Sequence, residues 1–133
     1  MATFTADHAT KVRVLIVEDD ALVASCIENF LDGSGYEVVG IAGSACGALS
    51  LAEEHLPDAA LVDIGLTGPL DGIELACLLR QKYSVPTLFL SGLDDKETLE
   101  RARVAQPIGF LLKPFRPSRV FNAIEQALSL QQI

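Results

Sequence analysis

Asp63 ends the apolar run Ala59-Ala60-Leu61-Val62, and a segment with three glycines and one proline, Gly65 to Gly72, follows at once. Three other apolar runs stop at polar residues in the same way: Val14-Leu15-Ile16-Val17 at Glu18-Asp19, Leu88-Phe89-Leu90 at Ser91, and Leu111-Leu112 at Lys113. Three carboxylates, a hydroxyl and an ammonium therefore stand at the ends of apolar segments that are far apart in the chain. Carboxylates packed into one cleft repel one another, and one or more pKa values rise unless something compensates. A hard divalent cation is the natural compensation. Mg²⁺ takes a few carboxylate oxygens and keeps several waters. Asp63 can then stay ionised as a nucleophile, with Lys113 and Ser91 supplying a cation and a donor to an incoming anion. Carboxylate, metal, ammonium and hydroxyl around one anion make a phosphoryl-transfer arrangement, and a covalent aspartyl phosphate at Asp63 follows from it.

Such a cleft needs a scaffold that brings the four run ends to one edge, and the pattern of the chain supplies one. Residues 11–17 are rich in β-branched residues and end in the apolar run Val14-Leu15-Ile16-Val17, as expected of a strand buried on both faces. A helix follows to about Ser34, with Leu22, Val23, Ile27, Phe30 and Leu31 at helical spacing. Asp19 or Asp20 caps it, acids suit its first turn, and Gly33 and Gly35 end it. Tyr36–Ala42 reads as a second strand. A second helix runs from Gly43-Ser44 to about His55, with Leu49, Leu51, Ala52 and Leu56 as its apolar positions, and Pro57 stops it. The third strand is Ala59–Val62, and the third helix spans about 71–83. The fourth strand, 86–90, starts on a proline, which a strand tolerates there. A fourth helix, roughly 96–105, is capped by Asp94 or Asp95 and is the least apolar, so it is expected to be the most weakly held. The fifth strand is 108–112, and Pro117-Ser118 opens the last helix. Five strand–helix units in strict alternation, joined by right-handed crossovers, make a parallel sheet with helices on two faces. The ends of its strands form the edge where ligands bind.

Bulk composition narrows the function. The chain has 133 residues, half of them hydrophobic, and a net charge of −8. That length suits one domain, 11–133, preceded by a flexible leader, 1–10. The acidic balance argues against nucleic-acid binding, which runs on Lys and Arg. No apolar run approaches membrane-spanning length, and the polar N-terminus lacks the regions of a signal peptide, so a cytoplasmic protein is expected. Cys26, Cys46 and Cys77 are odd in number and widely spaced, and are read as small half-buried thiols. His8 and His55 are read as solvated, and Asp20 and Asp71 as caps and not ligands.

The segments VLIVEDD (14–20), LVDIGL (61–66), DGIEL (71–75), LFLSG (88–92) and GFLLKPF (109–115) together resemble a response-regulator receiver domain of two-component signalling, over nearly the whole chain. The resemblance implies a flavodoxin-like α/β fold with strand order 2-1-3-4-5. It implies that Asp63 is the phosphoacceptor and a Mg²⁺ ligand, that Asp19 touches the metal directly and Glu18 through water, and that the Gly65 carbonyl is a further ligand. Ser91 and Lys113 would contact the phosphoryl group. Phe110 would stand at the aromatic switch position, and the Lys113–Pro114 bond would be cis. The donor would be a phosphohistidine on a sensor histidine kinase or a histidine phosphotransfer protein, docking on Leu22, Val23, Cys26 and the segment 114–116. Output would pass to a protein partner through the fourth helix, fifth strand and fifth helix, in a stand-alone receiver without nucleic-acid or membrane partner. Dimerisation through the same face is left open. Such a chain catalyses only its own phosphorylation and dephosphorylation.

The chain departs from the family pattern in two places. The loop from Asp63 to Asp71-Gly72 is one residue longer than the commonest spacing, with Thr67 where proline is frequent and Pro69 displaced. Gly65 and Leu93, two residues beyond Asp63 and Ser91, carry no group to assist a hydrolytic water, so a persistent phosphoryl group is expected.

Other classes fit less well. A haloacid-dehalogenase-like phosphatase would carry a second Asp where Gly65 stands. A flavodoxin-like mononucleotide carrier needs a Gly/Ser/Thr-rich phosphate cradle, and Glu18-Asp19-Asp20 would repel phosphate. A degenerate receiver serving only as a scaffold would not need the acidic set. A lone Asp after a strand is usually a turn residue; the matching strand ends lift Asp63 above that reading.

Overall fold

The computed structural model describes residues 11–66, 68–92, 96–113 and 116–131. The leader, Thr67, the caps expected at Asp94 or Asp95, Leu93, and the segment 114–115 with its expected cis bond lie outside the described residues. The elements alternate as the pattern predicts: β1 Arg13–Val17, α1 Ala21–Gly33, β2 Glu37–Ala42, α2 Ala45–His55, β3 Ala59–Asp63, α3 Gly72–Tyr83, β4 Thr87–Ser91, α4 Lys96–Ala102, β5 Gly109–Leu112 and α5 Pro117–Gln131. All strand pairs are parallel, in the order β2-β1-β3-β4-β5. This is the flavodoxin-like arrangement expected of a receiver.

The three central strands are buried along almost their whole length, which is why they read as continuous apolar runs. Alternate residues feed two cores. Val14, Ile16, Leu61, Leu88 and Leu90 pack against α1 and α5 through Ile27, Leu31, Val120 and Ile124. Leu15, Val17, Ala60, Val62 and Phe89 pack on the other side, against Ala48 and Ala52 of α2 and Leu75 and Leu79 of α3.

Several local expectations are corrected. The acids precede the first turn of α1 and do not stand in it: Asp20 is the N-cap and its side chain accepts from the amides of Leu22 and Val23. The end of α1 is as expected: Gly33 is its last residue, Ser34 the C-cap, and Gly35 follows at φ +93°. In α2 the buried face is Ala45, Ala48 and Ala52, whereas Leu56 sits in the left-handed region and is exposed. Leu22 is exposed as well. Cys26 and Cys46 are exposed, and Cys77 alone of the three matches the half-buried reading. The fourth helix is shorter than expected: α4 stops at Ala102 and a 3-10 turn, Arg103–Ala105, completes it.

Thr87 is buried at the start of β4, and its hydroxyl has no hydrogen-bond partner in the structure. A buried hydroxyl without a partner costs about 1–3 kcal/mol. Replacing it with the near-isosteric Thr87→Val should therefore raise stability by about 1 kcal/mol, measured as an upward shift of the urea midpoint at unchanged m-value.

Candidate functional site at the C-terminal edge of the sheet

The strand register brings the predicted residues together. Asp63 is opposite Leu90, and Ser91 is opposite Leu112, so β3, β4 and β5 end side by side. Backbone bonds carry the ladder past the last paired residues: Ile64 N–H donates to the Leu90 carbonyl at 2.8 Å, and Lys113 N–H to the Ser91 carbonyl at 2.6 Å. On the other flank the Glu18 amide donates to the Ala42 carbonyl at 2.9 Å.

Glu18, Asp19 and Asp63 each present a carboxylate oxygen, and these oxygens lie within 4.8 Å of one another. Glu18 is 2% exposed and Asp63 is 9% exposed, whereas Asp19 faces solvent. Lys113 reaches across from the end of β5. Its Nζ is 2.8 Å from Glu18 Oε1 and 3.6 Å from Asp63 Oδ2. The other Glu18 oxygen accepts from the Asp20 amide at 3.1 Å, and Asp63 Oδ1 accepts from the Gly65 amide at 2.9 Å. Ser91 is fully buried beside them.

The charges show in the titration of the site. Burial pushes the Glu18 carboxyl above its ordinary value, and the neighbouring Asp63 adds to the rise; Lys113 and the Asp20 amide only partly oppose it. Burial alone would lower Lys113, but the Glu18 hydrogen bond and the charges of Asp63 and Glu18 outweigh it and raise the ammonium. Lys113 therefore stays charged, and the site holds more negative charge than one ammonium neutralises. An all-oxygen donor set with one solvent-facing carboxylate suits a hard cation that keeps part of its water shell. Glu18, Asp19 and Asp63 are the residues that could hold it.

The loop after β3 returns tightly to the end of that strand. Leu66 is buried and its amide donates to the Asp63 carbonyl at 3.1 Å. Gly68 follows at φ +124°, a conformation that suits glycine in the part of the loop with the added length. Gly72 closes the loop. A Cβ there would stand 2.4 Å from the Asp63 carbonyl oxygen, so only glycine lets α3 start against the end of β3. Asp71 before it is the N-cap of a capping box with Glu74, as the cap reading expects. The sequence shows the Asp-Gly pair without showing this close approach, because a clash with a backbone seven or more residues away leaves no local signature.

Phe110 of β5 stacks on Phe89 of β4, with ring centroids 5.8 Å apart, and remains 39% exposed. Leu112, two residues further along β5, and Val104 of the 3-10 turn are also exposed apolar residues.

The family model of the response regulator receiver domain matches residues 14–125. The chain belongs to that family. Receiver domains work in two-component signalling as phosphoacceptor switches, not as enzymes on external substrates, and take the phosphoryl group from histidine kinases or phosphotransfer proteins. They bind Mg²⁺ at an acidic pocket. Among relatives, the chain is 39% identical over 127 residues to the transcriptional regulatory protein PdtaR of Mycobacterium tuberculosis, covering 96% of this chain and 62% of that protein. It is 34% identical to the phyllosphere-induced regulator PhyR of Methylorubrum extorquens, covering 96% of this chain and 46% of that one. The chain thus spans less than two-thirds of the length of these relatives. Among solved structures, the signal receiver domain of a modulated diguanylate cyclase from Desulfovibrio desulfuricans superposes with a TM-score of 0.85 at 38% identity, over 90% of this chain and 95% of that one. A CheY-like receiver domain protein from Methanospirillum hungatei gives 0.84 at 27% identity, over 92% and 98%. Among the described residues no helix is long and apolar enough to cross a membrane.

Removing the Lys113 ammonium leaves the buried Glu18 carboxylate without its cation. Lys113→Met should cost about 1–3 kcal/mol of stability in chelator, read by thermal denaturation. Millimolar Mg²⁺ should restore more stability to the variant than it adds to the wild type. Equal Mg²⁺ increments in the two proteins would show that the metal and the ammonium do not share Glu18.

Proposed function

We propose that this receiver accepts a phosphoryl group at Asp63, with Mg²⁺ held by Asp19 and Asp63, by Glu18 through water, and by the Gly65 carbonyl. One observation carries the reading: three carboxylates from two separate strand ends converge within 4.8 Å, with the Lys113 ammonium among them. Asp63 Oδ1 is engaged by the Gly65 amide and Oδ2 faces Lys113, which supports Oδ2 as the oxygen for the phosphoryl group. Oδ2 attacks phosphorus, the P–N bond to the donor imidazole breaks, and the imidazole leaves with the bonding pair and takes up a proton. Lys113 stays protonated throughout and moves from Glu18 toward the new phosphoryl oxygens. Ser91 donates its hydroxyl to one of them. When bound, the metal supplies positive charge against the charge developing in transfer.

The donor is a phosphohistidine on a sensor kinase or phosphotransfer protein, docking by family analogy on α1. Exposed Leu22 and Cys26 on that helix support a contact surface there. Displacement of Ser91 and Lys113 toward the phosphoryl group biases α4, β5 and α5 as a two-state face. Phe110 is the residue that reports it, and Val104 and Leu112 widen the apolar surface offered to a protein partner.

Incubation with acetyl phosphate and Mg²⁺ should add the mass of one phosphoryl group to the intact chain, and Asp63→Asn or excess chelator should abolish the gain. An unmodified wild type under saturating conditions overturns the assignment. Hydrolysis should be slow, because no side chain at position 65 assists water. A Cβ at Gly65 would meet Asp63 Oδ1 at 3.4 Å, ordinary contact, so Gly65→Asn places an amide beside the acyl phosphate without a clash. That variant should lose its phosphoryl group faster than the wild type; the opposite order contradicts the reading.

A further inference from the structure

Helix α4 is the shortest of the five helices. It has seven residues, of which Ala102 is buried, and the 3-10 turn that continues it is the part that packs on α3. Two arginines cross between α3 and this unit in opposite directions. Arg80 of α3 donates from Nε to the Ala105 carbonyl at 3.1 Å and from Nη2 to the Val104 carbonyl at 3.5 Å, at the end of the 3-10 turn. Arg101 of α4 donates from Nη2 to Asp71 Oδ2 at 3.1 Å. Arg101 also lines a groove of about 460 Å³, together with the apolar Leu70, Ile73, Cys77, Leu78 and Val104.

The two ties differ in kind. The Arg80 tie ends on main-chain carbonyls. The Arg101 tie is an ion pair, and it ends on a residue joined to the acceptor. Asp71 Oδ1 caps the Glu74 amide at 2.8 Å while Oδ2 takes Arg101, so both oxygens have work. Gly72, next in sequence, lies against the Asp63 carbonyl so closely that no Cβ fits. A continuous physical path therefore runs from the main chain of Asp63 through Gly72 and Asp71 to Arg101 and α4.

We propose that Arg101 is a positioning residue: its ion pair with Asp71 holds α4 in the place it takes before phosphoryl transfer. It is a connection between Asp63 and α4 separate from the one through Ser91 and Lys113. The proposal rests on the functional reading above. The pair is half open to solvent, with Arg101 60% and Asp71 34% exposed. Exposed pairs are weak and bias a two-state equilibrium by at most about fivefold. A latch that must open when Asp63 is modified needs that weakness. Arg80, with its carbonyl partners, keeps the far end of the unit on α3 as a pivot.

Arg101→Gln and Asp71→Asn test this in the full chain. Asn is as good an N-cap as Asp, so α3 keeps its start. Hydrogen exchange should speed up in α4 and not in α3 in both variants. Phosphorylation by acetyl phosphate with Mg²⁺ should be about 2- to 5-fold faster than wild type, because the receptive arrangement is more populated. The double variant should gain no more than either single one. High salt should bring the wild type toward the variants, since screening at 1 M acts over about 3 Å. Unchanged exchange in α4 and an unchanged phosphorylation rate in both single variants overturn the proposal. So does a lowered melting temperature with an unchanged rate, which marks a bridge that is structural only. A wild type that takes up no phosphoryl group overturns the functional reading itself, and that outcome is distinct from a wild type and variants that react equally fast.

Discussion

Two carboxylates, Glu18 and Asp63, are buried within a few ångströms of each other and of Asp19 at the end of an apolar sheet. A buried carboxylate is tolerated when it is paired and hydrogen-bonded. Glu18 has both, from the Lys113 ammonium on one oxygen and the Asp20 amide on the other. Asp63 has the Gly65 amide and a longer approach to the same ammonium. One cation is thus divided between two anions, and the remaining negative charge is a standing affinity for a second cation. In the proposed reaction that imbalance is what couples Asp63 to Lys113, since the same ammonium approaches both Glu18 and Asp63.

The fold serves this conflict by fixing main chains and leaving side chains to respond. The register of β3, β4 and β5 sets Asp63, Ser91 and Lys113 abreast, and main-chain bonds extend the ladder to Ile64 and Lys113. The side of the sheet that carries α1 and α5 is held by aromatic contacts: Phe121 of α5 packs on Phe30 and Tyr36, and the Tyr36 hydroxyl donates to Glu125. Burial, reinforced by that carboxylate, pushes the Tyr36 phenol well above its usual range, so it stays a donor. On the opposite flank the short α4 continues into a 3-10 turn tied to α3 by Arg80, and Arg101 of α4 pairs with Asp71.

Much of this was legible in the residues. Central parallel strands are buried on both faces, so they appear as runs such as Val14–Val17 and Leu88–Leu90, and their polar ends stand out against them. The acidic set, Ser91 and Lys113 follow from those ends, and the order of the strands from the receiver resemblance. Helix faces were harder. Helix α2 meets the sheet through Ala45, Ala48 and Ala52, and small residues leave a faint periodic signal beside the louder Leu49, Leu51 and Leu56. Pro107 marks a boundary and predicts a helix to Ala105, whereas the helix gives way earlier, with Gln106 in the left-handed region after a 3-10 turn. The ties of Arg101 to Asp71 and Arg80 to Ala105 join residues 30 and 25 positions apart, and no local pattern announces them.

In the proposed function the charge conflict at the strand ends makes Asp63, and no other group, the site of an acyl phosphate. Reductive trapping can locate that bond. After reaction with a phosphodonor and Mg²⁺, borohydride converts an aspartyl phosphate to homoserine, and peptide mass mapping locates the change. Homoserine confined to position 63 is the predicted result. Homoserine at Asp19 or Asp20, or phosphoryl transfer that leaves position 63 unreduced, would contradict the account.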